Sequence, residues 1–142
     1  MIKHAWTVLC QKSIMDQETN NISLDVLEQL NVKDLSFPEE AKGIIFPIQM
    51  EIVSLWYRTQ KDQGLKGKSQ QRIIAPNGEE VGKTNIEINL LNHQRYRSRV
   101  RLNGLPIPKD SPGYFYFVVE LELNNSWIEV SRIPLEVKVQ RG

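Results

Sequence analysis

Residues 113–123 read Gly-Tyr-Phe-Tyr-Phe-Val-Val-Glu-Leu-Glu-Leu. Phe115, Phe117, Val119, Leu121 and Leu123 fall on one parity, and Tyr114, Tyr116, Val118, Glu120 and Glu122 on the other. Successive side chains of a strand point to opposite faces, so a period of two gathers the first set onto one face of a β-strand. A helix would scatter the same residues around its circumference. The chain therefore has to build a sheet and find something to cover its apolar side.

The same period recurs along most of the sequence. Residues 4–14 alternate, with Trp6, Val8 and Cys10 on one parity and Ala5, Thr7 and Leu9 on the other. Both sides are apolar enough to be partly covered. Residues 16–21 form a polar turn. Ile22, Leu24 and Val26 alternate again, and Leu27, Leu30 and Val32 then break the parity. A β-bulge near Val26 and Leu27 explains the break. A short helix from Ser23 is the alternative, but it would hold only about nine residues, below the ~11–12 average. Residues 37–43 read as a loop, with room for one helical turn after Pro38.

Residues 44–58 form a long extended run, with Ile48, Met50 and Ile52 on one face and Val53, Leu55 and Tyr57 on the other. Pro47 has to lie near its start or at an edge, because it cannot donate to a ladder. Trp56 is a core anchor. Residues 59–68, with Gly64 and Gly67, read as a loop, and residues 70–75 as a short strand. Pro76-Asn77-Gly78-Glu79 is a tight hairpin signal. Residues 81–91 supply the partner strand, and residues 92–94 turn. A strand from Arg95 ends at Asn103-Gly104, followed by an extended, proline-rich stretch through Lys109. Asn124-Asn125 turns residues 113–123 into a last strand over residues 127–139. About eight short-turned strands predict an all-β fold, an antiparallel β-sandwich in one domain over residues 1–142, with a barrel as the alternative.

Composition narrows the function classes. Lys and Arg number 18 against 17 Asp and Glu, a formal net charge of +1. No global field draws such a chain to nucleic acid or membrane, so any electrostatic partner is met by a local patch. One cysteine, Cys10, cannot form an internal disulfide. No apolar run has the length of a signal-peptide core or a membrane span. The expected setting is cytoplasmic, with no membrane association.

The local patch is Arg95-Tyr96-Arg97-Ser98-Arg99-Val100-Arg101-Leu102. Four guanidiniums share one strand face at ~6.6–7 Å spacing, which suits phosphates or carboxylates. Tyr57, Tyr96 or Trp6 could add stacking. Against this stands ordinary pairing, for which Glu87, Glu120 and Glu122 are the candidates.

Asp110-Ser-Pro-Gly-Tyr114 resembles the tyrosine corner of immunoglobulin-like sandwiches, and Trp56 before it resembles that fold's core tryptophan. The resemblance implies an immunoglobulin-like fold in which Tyr114 ties down the preceding loop with Asp110. Tyr116 stands where the family has a cysteine. The N-terminal half, through His4-Ala-Trp-Thr-Val-Leu-Cys10, Asp16-Gln-Glu-Thr-Asn-Asn-Ile-Ser-Leu24 and Val26-Leu-Glu-Gln-Leu30, resembles a group of uncharacterised small bacterial and phage-associated proteins. That implies a bacterial or phage origin and leaves activity open.

Other chemistry is weakly encoded. His4 and His93 are the two histidines, without the spacing of a zinc site. A Cys10–histidine pair has no sequence support. Gly82-Lys83-Thr84 is not a phosphate loop, because Asn77 stands where its first glycine belongs and a strand follows. Asp16, Glu18 and Asp110 could serve a calcium site, and Tyr114 and Tyr116 a saccharide site. The expectation is a non-enzymatic protein-interaction or structural module of a larger bacterial assembly, without catalytic residues, metal or cofactor. Its contact would be the Arg95, Arg97, Arg99 and Arg101 face or an edge strand, with a protein partner or self-association favoured over nucleic acid. An anion or nucleic-acid binder is the alternative, and a carbohydrate- or calcium-binding sandwich a second.

Overall fold

The alternation becomes nine strands in the computed structural model, which describes residues 1–33, 37–109 and 112–140. They are β1 (Lys3–Met15), β2 (Ile22–Val26), β3 (Gln29–Lys33), β4 (Gly43–Tyr57), β5 (Leu65–Ile74), β6 (Glu80–Leu90), β7 (Arg95–Pro108), β8 (Gly113–Leu123) and β9 (Ser126–Gln140). Among the described residues there is no helix. The strands form two sheets, one in the order β2-β1-β4-β7 and the other β3-β9-β8-β5-β6. The all-β, two-sheet expectation is met.

The core lies between the sheets. Leu9, Ile52 and Trp56 come from the first sheet, and Phe115, Phe117, Val119 and Leu135 from the second. The apolar face of β8 is therefore the floor of this core. Leu123, at its end, is only half-buried.

Three sequence expectations need correction. The parity break after Val26 is neither a bulge within one strand nor a helix. The chain leaves one sheet for the other there. Leu27 N–H donates to Leu9 O at 3.0 Å in the first sheet, and Glu28 O accepts Glu136 N–H at 3.4 Å in the second. Leu27, Leu30 and Val32 turn to the core from opposite sides of that step. The sandwich is also not wholly antiparallel, because β3 pairs parallel with β9. Finally, residues 65–68 belong to β5, not to a loop. Gly67 serves a close approach there: a Cβ would run into the Ile2 Cδ1 methyl.

Proline and glycine mark one bulge that shapes the arginine strand. Phe46 pairs with Leu105 and Gln49 with Asn103, so Pro47 and Ile48 oppose Gly104 alone. Gly104 has a φ of 122°, which side-chain-bearing residues rarely adopt. Pro47 thus sits near the start of β4, as its missing donor requires.

Candidate anion-binding face

Among the described residues, β7 is the edge strand of the first sheet, paired only with β4. Arg95, Arg97, Arg99 and Arg101 lie opposite Tyr57, Leu55, Val53 and Glu51. They share the outer face, away from the core. Ser98 and Val100 point inward and are buried. Tyr96 also packs against the core, so it cannot stack on a ligand of the arginine face. Tyr57 and Trp6 do share that face.

The stripe is electrostatically divided. Arg99 Nη2 and Arg101 Nε each donate to Glu51 Oε1 at 3.1 Å. Ser13 Oγ donates to Glu51 Oε2, and the Cys10 thiol lies 3.9 Å from the same oxygen. Glu51 is 8% exposed. Burial pushes its pKa up, but the Ser13 hydrogen bond and the two guanidiniums outweigh burial and hold it below the ordinary value. Cys10 moves the other way. Burial and the neighbouring Glu51 charge push the thiol up to about 11, so it stays protonated at neutral pH.

Among the described residues, Arg95 and Arg97 have no such partner. Every other arginine of the described residues does: Arg58 donates to Leu90 O and Asp62 O, Arg72 pairs with Glu80 and Glu120, and Arg132 pairs with Glu129. Arg97 Nε is buried without an acceptor among the described residues. A buried donor left unpaired costs its desolvation, about 1–3 kcal/mol and more for a charged group. Arg95 and Arg97 border a cleft of about 470 Å³ with Trp6, Leu55, Asn20 and Asn21. Its wall is the β1–β2 turn, closed by Asp16 N–H on Asn21 O and Asn20 N–H on Asp16 O, both 2.8 Å. A second cleft, about 890 Å³, lies at the Glu51 end beside Lys12, Asp25, Arg101 and Asn103. Between the two, Val53 and Cys10 are fully buried.

The carboxylates expected to pair with the stripe lie elsewhere. Glu87 meets Lys66 at 3.4 Å, and Glu120 meets Arg72 at 3.6 Å. β6 and β7 are consecutive but belong to different sheets, so Glu87 is not a cross-strand neighbour of the arginines. Glu51 takes that role. Its signal in the sequence is a lone carboxylate on the otherwise apolar β4 face of Val53, Leu55 and Tyr57.

The remaining candidates disperse. His4 lies on the inner side of β1, its Nε2 2.6 Å from Thr7 Oγ1, which is 2.8 Å from Ser54 Oγ. Cys10 is on the other face, so the two do not converge. His93 is exposed in a turn. Asp16 Oδ1 accepts the Glu18 and Thr19 N–H groups, a local turn. No group of three or more metal-ligating side chains occurs among the described residues. Tyr114 is 48% exposed and its hydroxyl donates to Glu136 Oε2 at 2.8 Å, directly across the β8–β9 ladder. Asp110, its suggested corner partner, lies outside the described residues. Tyr116 lies under the Arg132 guanidinium, 5.5 Å from the ring centre.

Comparison with protein-family models and with curated proteins finds no match for this chain.

Proposed function

We propose that this chain is a non-enzymatic binding module that contacts an acidic segment of a protein partner through the Arg95–Arg97 end of β7. The observation that carries the reading is the division of the stripe. Glu51 satisfies Arg99 and Arg101, while Arg95 and Arg97 are left beside a cleft without an acceptor among the described residues. A fold that solves pairing for every other described arginine leaves these two for an external anion. The net charge of +1 favours a local carboxylate partner over the extended polyanion of nucleic acid.

The same proposal takes the sandwich as immunoglobulin-like. The run β9-β8-β5-β6 matches the order G-F-C-C′ of that fold, and Tyr114 stands at the start of the strand in the F position. β1, inserted between β2 and β4, and Trp56 on β4 rather than on the C-position strand are departures. The proposed setting is a larger bacterial assembly in the cytoplasm, which rests on the resemblance of the N-terminal half to small bacterial proteins.

The test is a titration with a fluorescent oligo-glutamate peptide at several salt concentrations. Binding is expected to weaken with salt. Arg97→Ala should reduce affinity about tenfold, the worth of one charge-assisted hydrogen bond. It should leave the melting temperature unchanged or raised, because it removes an unpaired buried donor. Salt-independent binding, or an Arg97→Ala variant that melts lower and binds unchanged, overturns the proposal. Tighter binding of a single-stranded oligonucleotide would replace the protein partner by nucleic acid.

A further inference from the structure

We infer that the acidic partner is held as an added β-strand on the free edge of β7. This rests on the reading of Arg95 and Arg97 as an anion-binding pair and specifies the form of the ligand.

β7 is 14 residues long and ends the order β2-β1-β4-β7. Among the described residues, no backbone hydrogen bond joins residues 95–105 to any segment other than β4. One row of N–H and C=O groups along this stretch is therefore open over about 33 Å. Pro106 and Pro108 lack a donor and limit the usable edge to the part that carries the arginines.

The arginines then decide the occupant. A second copy pairing antiparallel through β7 about a two-fold axis at Ser98 would set Arg97 against Arg99 and Arg95 against Arg101. Like charges directly opposite oppose pairing. A strand with Glu or Asp at alternate positions on the same face meets the stripe instead, because its carboxylates repeat at the two-residue spacing of the guanidiniums. Opposed residues lie about 4.5–5.5 Å apart at Cβ, within reach of a guanidinium–carboxylate pair. The backbone would supply affinity and Arg95 and Arg97 the selection.

The experiment uses the full chain and a peptide with Glu alternating with Thr or Val. Two derivatives carry N-methyl groups on one or the other alternate set of amides. In an added strand one set faces β7 and the other faces solvent. One derivative is expected to lose at least tenfold in affinity and the other to bind like the parent peptide. If both bind alike, strand addition is overturned while the anion-binding reading stands. If the parent peptide fails to bind and oligo-glutamate binds in a salt-dependent way, the strand form alone again fails. If neither binds, the underlying reading fails with it. A dimer in sedimentation that the peptide competes away assigns the edge to a second copy and overturns the proposal.

Discussion

Replacing Trp56 with Ala is expected to cost about 4 kcal/mol of folding stability, in the middle of the range for core aromatics. For a chain of this size that lowers the melting temperature by about 12 °C, at about 3 °C per kcal/mol. Trp56 is fully buried near the C-terminal end of β4, across from Tyr96 on β7 and His4 on β1. Its ring meets His4 edge-on with centres 5.2 Å apart, and its Nε1–H donates to Ser98 Oγ at 3.0 Å. Truncation opens a cavity and removes a buried hydrogen bond at once. Trp56→Phe separates the two effects: most of the ring volume stays, the donor goes, and the expected loss is about 1–2 kcal/mol. Urea unfolding with an unchanged slope checks both values. A loss below about 1 kcal/mol for the alanine variant would show that the ring is not part of the rigid core.

Trp56 was legible in the sequence because burial and period are local properties. So were the faces of β8 and of the arginine strand. What the sequence could not show was which strands become neighbours. Leu27 illustrates the limit. Its broken parity is visible, but a bulge, a helical turn and a crossing between sheets all break parity in the same way. The crossing is chosen by distant partners, β1 for Leu27 and β9 for Glu28. The pairing of the arginines failed for the same reason. Adjacency along the chain suggested Glu87, yet the turn at residues 91–94 carries the chain to the other sheet. Glu51, 48 residues before Arg99 in sequence, becomes the cross-strand neighbour through the β4–β7 ladder. The wall of the Arg95–Arg97 cleft, Asn20 and Asn21, likewise reads in sequence only as a polar turn.

Glu51 is where the division of the stripe can be broken. Glu51→Ala is expected to destabilise the chain by about 2 kcal/mol, because it removes charge-assisted hydrogen bonds to Ser13, Arg99 and Arg101 together. The figure lies below that for a fully buried pair because the Arg101 side chain is 70% exposed and stays solvated without its partner. The sign of the pH dependence follows from the lowered pKa. The unfolded chain takes up the proton first as pH falls, so Glu51 contributes fully above its unfolded value of about 4.3. That contribution declines below it and is gone once the pH has passed the folded value. Glu51→Gln should therefore unfold at lower urea than wild type at pH 7, with the gap closing as the pH falls through the acid range below about 4.3. A constant gap across that range would mean that the carboxylate charge is not what anchors Arg99 and Arg101. Binding gives the second readout. Releasing Arg99 and Arg101 adds two unpaired guanidiniums to Arg95 and Arg97, so Glu51→Gln is expected to bind oligo-glutamate several-fold more tightly, with a steeper salt dependence. Weaker binding by the variant would mean that Glu51 orders the face the ligand needs, and that the stripe acts as one unit rather than as an anchored half and a free half.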